Sequence, residues 1–130
     1  ELLHYVALNF KKLINEKQST YATEQIKTVM KIKQFLDEHV DTYYTTSYLA
    51  KRFGIGLTRF QEIFKASYDI SPYRYHLNKR LENAAMLLLE SGLNIADIGY
   101  NSGFASHSKF IEAFREKFNC LPSQYRRKTI

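Results

Sequence analysis

The sequence predicts an all-α fold: two three-helix helix-turn-helix lobes joined by a long linker helix, with an extra N-terminal helix in front of them. Three observations carry this reading. A pattern recurs after about fifty residues, each copy has a turn glycine at the same place, and a long apolar-faced segment separates the copies.

The repeat pairs Tyr48–Tyr75 with Asp97–Tyr125. Leu49, Ala50 and Gly54 match Ile98, Gly99 and Gly103 at an offset of 49 residues. Phe60, Phe64, Tyr68, Pro72 and Tyr75 match Phe110, Phe114, Phe118, Pro122 and Tyr125 at an offset of 50, so one residue is inserted after the turn glycine. Two copies are too few for a solenoid, which needs about three. Two similar, separately folded lobes are the expectation.

The elements follow in chain order. Residues 2–14 form a candidate helix with Leu2, Leu3, Val6, Phe10, Leu13 and Ile14 on one face. Its apolar face needs a partner: the core, a dimer seam, or the tail of an upstream domain. The last two together are favoured here. Residues 15–21 are polar and read as a linker, so residues 1–21 stand apart from a domain over 22–130. A helix from Thr23 to near Val40 is expected to turn Ile26, Val29, Met30, Phe35 and Leu36 inward. The first helix-turn-helix unit spans about 45–68: Thr45 caps a short helix, Gly54 turns, and a second helix buries Phe60, Ile63, Phe64 and Tyr68. Ser71-Pro72 is a strong helix start and Ser91-Gly92 a stop, which sets the linker helix at about 72–90. Its apolar positions are Leu77, Leu81, Ala84, Ala85 and Leu88, with Met86 and Leu87 as further candidates. The second unit spans about 95–118, with Asn94 and Ser106 as caps, Gly103 as the turn, and Phe110, Ala113, Phe114 and Phe118 inward. The linker helix would be about 28 Å long. Recognition helices on such a spacer could enter successive major grooves about 34 Å apart.

Composition narrows the function classes. Ten Tyr and nine Phe can fill a core without metal or disulfide, and Cys120 is the one cysteine. A reducing, cytoplasmic setting is expected, with no membrane span. The net charge of +6 suits a polyanionic partner. Its excess grows along the chain, from +1 over residues 1–40 to +2 over 41–90 and +3 over 91–130. The sequence opens on Glu1 without a methionine, so it reads as a fragment with some function upstream.

Residues 24–127 resemble the AraC-type family of bacterial transcription regulators. The most specific part is NIADIGYNSGFASHSKFIEAFREKFNCLPSQYRR; LAKRFGIGLTRFQEIFK and SPYRYHLNKRLENAAMLLLESG match as well. The resemblance implies two three-helix lobes joined by a long helix, and sequence-specific binding to double-stranded DNA as an activator or repressor of transcription. It also implies RNA polymerase as a partner of an activator, and a homodimer through the N-terminal helix or an upstream domain. Four positions depart from the family pattern. Asp69 and Asn119 stand where glycine usually follows each recognition helix; both types tolerate a left-handed backbone. Gly56 replaces a Ser cap, leaving the first recognition helix less firmly held at its start. Gly99 replaces Ala, weakening its helix by up to about 1 kcal/mol, though a small residue there, as at Ala50, lets the two helices of the unit approach closely.

A recognition helix buries its Phe face and offers the other face to the groove. In the first unit the candidate base contacts are Thr58, Arg59, Gln61 and Glu62. Gln can pair with adenine, and Glu can accept from cytosine N4. In the second they are His107, Ser108, Ile111 and Glu112, with Ile111 suited to a thymine methyl. Phosphate candidates are Lys65, Arg74, Lys109, Arg115, Lys117, Arg126 and Arg127, helped by backbone N–H groups at the helix starts after Thr45, Ser71 and Asn94. The plain alternative for each is a solvated surface position.

Two other classes are weaker. An enzyme would need a site, and His4, His39, His76 and His107 have no paired metal-ligand spacing; there is no phosphate-binding glycine loop and no nucleophile elbow. Cys120 reads as a packed thiol, without the Cys-rich segment of DNA-repair proteins that carry a similar half. No cofactor is expected. The remaining rival is a helical protein-interaction module that binds no DNA, or binds it without specificity.

Overall fold

Phenylalanine spacing determines which faces are buried. The computed structural model describes residues 20–128, and all regular structure among them is helical. In chain order the helices are α1 (Thr20–Glu38), α2 (Thr46–Arg52), α3 (Leu57–Tyr68), α4 (Pro72–Glu90), α5 (Ile95–Tyr100), α6 (His107–Phe118) and α7 (Pro122–Lys128). The expected helix over 2–14 and most of the linker lie outside the described residues. The linker's last residues, Thr20 and Tyr21, belong to α1, which starts before Thr23 and ends at Glu38 rather than near Val40. No described helix is long and apolar enough to cross a membrane. Among the described residues, no group of three or more His, Cys, Asp or Glu could hold a metal ion.

The chain divides into two compact units. The first takes the described residues up to Leu36 together with Tyr44–Tyr75; the second takes Asp37–Tyr43 and the chain from His76 onward. Each has its own core.

In the first unit, α1 contributes Ile26, Val29, Ile32 and Leu36, all buried. Ile32 replaces the expected Met30, which is 47% exposed. At about 100° per residue and with Val29 at 0°, Leu36, Ile32 and Ile26 fall at about −20°, −60° and +60° on the wheel, whereas Met30 falls at about +100°, beyond the edge of that stripe. Phe35 is half-buried against the cluster. From α3, Phe60, Ile63 and Phe64 join Leu49, Ala50 and Ile55. Burying each of the Leu, Ile, Val and Phe side chains contributes roughly 1.5–3 kcal/mol.

In the second unit, Leu77, Leu81, Ala84, Ala85 and Leu88 of α4 pack with Ile98, Phe104, Phe110 and Phe114. From His76 onward α4 is therefore core to this unit as well as a connection. Met86 faces solvent at 44% exposure, and Leu87 is half-buried.

The repeat reappears as geometry. Phe64 meets Tyr68 and Tyr75 at ring separations of 4.8 and 5.5 Å; Phe114 meets Phe118 and Tyr125 at 4.5 and 5.5 Å. Each recognition helix is thus locked to the start of the following helix by the same aromatic knot.

Candidate nucleic-acid interface

The turn of each unit is built the same way. Thr45 Oγ1 accepts from the Tyr48 N–H at 3.0 Å and starts α2, and Asn94 Oδ1 accepts from Asp97 N–H at 2.8 Å and starts α5. Gly54 and Gly103 take φ of +71° and +84°, the left-handed region that a tight reversal requires. The next residue then donates back into the first helix: Ile55 N–H to Ala50 O at 2.9 Å, and Phe104 N–H to Gly99 O at 3.0 Å. These bonds aim α3 and α6.

At Gly103 the chain has a second constraint. An added Cβ would lie 2.9 Å from Tyr43 N and from the Arg80 side chain. Arg80 is buried, 4% exposed, with its guanidinium 4.9 Å from the Tyr43 ring centre and 4.6 Å from Phe104. It donates from Nη1 to Gly103 O at 3.2 Å. His76 stacks on Tyr43 with ring centres 5.9 Å apart. Burial, then the nearby Arg80 charge, pushes the His76 pKa down to about 4, against a hydrogen bond with the Thr42 backbone. The stretch Asp37–Tyr43 is thus tied into the second unit. Sequence reading missed this, because Tyr43, His76 and Gly103 are distant along the chain.

Gly99 proves to be a packing position. A Cβ there would sit 2.8 Å from the Phe110 ring, which is fully buried. The expected weakening of α5 is therefore accompanied by a close helix approach that alanine would obstruct.

Both recognition helices end in a left-handed residue, Asp69 at φ 61° and Asn119 at φ 59°. Each carries the closing backbone bond, to Lys65 O and to Arg115 O. The cap survives without glycine, as expected for these two residue types. The starts differ: Ser106 Oγ accepts from Lys109 N–H at 3.2 Å, whereas Gly56 offers α3 no side-chain cap.

On α3, Thr58, Gln61, Glu62 and Lys65 are exposed and share the face away from Phe60 and Phe64. Arg59 is half-buried, with Nη1 3.9 Å from Glu62 Oε1. On α6, His107, Ser108, Lys109, Glu112 and Arg115 are exposed, while Ile111 is half-buried against the second core. Arg74 is exposed on the first turn of α4, and Arg127 on α7. Lys117 lies 4.0 Å from the Glu82 carboxylate and over the Phe118 ring. Arg126 differs from the other cations. It donates from Nε to Leu88 O at 2.9 Å and from Nη2 to Ser91 O at 3.2 Å, closing the C-terminus of α4. The helix starts named in the sequence are present. At each, the cap side chain takes the third N–H: Thr45 from Tyr48, Ser71 from Arg74, Asn94 from Asp97.

Comparison with known proteins agrees with this geometry. The profile of the helix-turn-helix domain family matches residues 49–128, more than half of the chain and both units. The chain belongs to the AraC-type helix-turn-helix family. Among AraC-type relatives, the HTH-type transcriptional regulator ExsA of Pseudomonas aeruginosa is 36% identical over 98 residues, which is 75% of this chain and 35% of that protein. The virulence regulon transcriptional activator VirF of Yersinia enterocolitica is 38% identical over 96 residues, 74% of this chain and 35% of that protein. The chain therefore spans about a third of the length of these relatives. Among solved structures, the C-terminal domain of AraT, a response regulator from Geobacillus stearothermophilus, matches with a TM-score of 0.75 at 26% identity. The match covers 78% of this chain and 84% of that one. ExsA and VirF are named as transcriptional regulators.

Proposed function

We propose that this chain binds double-stranded DNA sequence-specifically to regulate transcription, each unit placing its recognition helix, α3 or α6, in a major groove. One observation carries the reading: the same left-handed C-terminal cap, turn glycine, buried Phe pair and exposed polar stripe occur in both units. Thr58, Arg59, Gln61 and Glu62 of the first unit, and His107, Ser108, Ile111 and Glu112 of the second, would meet base edges. Lys65, Arg74, Lys109, Arg115 and Arg127 would meet phosphate, with Lys117 shared between phosphate and Glu82. Arg126 is assigned to structure. The names of ExsA and VirF, a transcriptional regulator and a transcriptional activator, support transcription control.

The DNA-binding domain would start with α1 at Thr20 rather than at residue 22, and the segment before it would serve a dimer partner or an upstream domain. If the chain serves an activator, as VirF is named, it would contact RNA polymerase, and its place would be the cytoplasm.

Selection of bound duplexes from a random library tests the function. The expected result is a motif with two half-sites, bound at least about 10³ times more tightly than random sequence. Equal binding to all duplexes, or none at any salt concentration, would leave a helical interaction module as the better reading.

A further inference from the structure

The recognition helices share a charged couple as well as a Phe face. Arg59 and Glu62 stand three residues apart in α3, and Lys109 and Glu112 stand three apart in α6; the offset of 50 places base on base and acid on acid. Glu62 lies midway in sequence between Phe60 and Phe64, and Glu112 midway between Phe110 and Phe114. At about 100° per residue, each carboxylate is about 160° round the helix from both buried rings. Both glutamates are exposed. They therefore occupy the centre of the face assigned above to the groove.

A carboxylate there has the wrong charge for phosphate. It opposes binding to any duplex unless a base supplies a donor. In the major groove, cytosine N4–H₂ is a donor whose own ring places no acceptor beside it. Adenine N6–H₂ is flanked by the N7 acceptor, which repels a carboxylate. The basic partner completes the match: Arg59 Nη1 is 3.9 Å from Glu62 Oε1, a spacing that lets one side chain face guanine O6 or N7 while the other faces the paired cytosine.

We propose that Glu62 and Glu112 are paired discriminators. Each accepts from a cytosine amino group at one position of its half-site and repels duplexes that lack it. Arg59 positions Glu62 and adds the contact to guanine, while Lys109 stays with phosphate. This trades affinity for selectivity, at equivalent sites in the two units. The proposal rests on the DNA-binding reading above.

The test compares the 130-residue chain with its Glu62→Gln and Glu112→Gln variants, which keep side-chain size and remove the charge. Both positions are exposed, so the cores are untouched. Each protein is put through duplex selection and titrated with its selected site and with random duplex. The wild type is expected to select a cytosine at one position in each half-site. Glu62→Gln should relax that preference in one half-site and Glu112→Gln in the other. Each should bind random duplex more tightly and lower the cognate-to-random ratio about tenfold. Variants that keep the motif and the ratio would overturn the proposal. So would equal gains on both duplexes, the signature of bulk charge. A wild type that selects no motif would instead overturn the DNA-binding reading beneath it.

Discussion

Gln61 and Ile111 occupy equivalent places in the two recognition helices, and their surroundings differ. Gln61 is exposed on α3, while Ile111 is half-buried against the second core. Gln offers a donor and an acceptor that match adenine N7 and N6; Ile offers only apolar contact. Gln61→Ala should therefore lower affinity for the selected duplex about tenfold while leaving random duplex nearly unchanged, as read by titration at fixed salt. Equal losses on the two would remove Gln61 from base reading. Gly99 makes a second test at this scale. Helix propensity alone favours alanine there by about 1 kcal/mol. The fully buried Phe110 ring, 2.8 Å from the added Cβ, opposes it. Overpacking of this kind costs about 1–3 kcal/mol, so Gly99→Ala should lower the denaturation midpoint. A stabilised variant would show that Phe110 can move aside.

The elements show how similar sequences acquire different tolerances. Gly54 and Gly103 both reverse the chain with positive φ. A Cβ on Gly54 meets nothing within 4 Å, so Gly54→Ala carries only backbone strain, about 1–2 kcal/mol. Gly103→Ala adds contact with the Tyr43 backbone and the held Arg80 side chain. It should be the more destabilising by a clear margin in urea unfolding, and equal losses would mean the Tyr43 segment yields freely. Much of this level was legible in sequence. Caps at Thr45, Asn94 and Ser106, the Pro72 start and the Phe spacing are local patterns, and local patterns survive into structure. Met30 was misjudged because an i, i+3, i+4 match fits more than one helix face; the choice between them depends on what packs opposite. Arg126, a phosphate candidate by sequence, has structural partners as well. Its charge is visible in sequence, but the carbonyls of Leu88 and Ser91 that hold it are not.

For the whole molecule, the pH dependence of stability draws on one buried side chain. His76 has a folded pKa of about 4, against 6.5 for an ordinary histidine. Between those values the unfolded chain binds a proton that the folded chain does not. Stability should therefore fall as pH drops from about 6.5 to about 4, with a slope of at most about 1.4 kcal/mol per pH unit from this group. Above pH 7 the histidine is neutral in both states and the effect vanishes. Urea titrations at pH 7.5 and 5 should show a larger loss for the wild type than for His76→Gln; matching losses would place the pH dependence elsewhere. The sequence by itself determined the all-helical class, the two tandem units, the turn glycines and the outward stripe. Each of these is set by helical periodicity and by residues that favour caps or left-handed turns, which act over a few neighbours. Tertiary structure decided the rest: that α4 is core to the second unit from His76 onward, that Asp37–Tyr43 packs with that unit, and which cations are already held. These depend on groups brought together from distant parts of the chain, where close packing and the hydrogen-bonding needs of buried polar groups leave one workable arrangement.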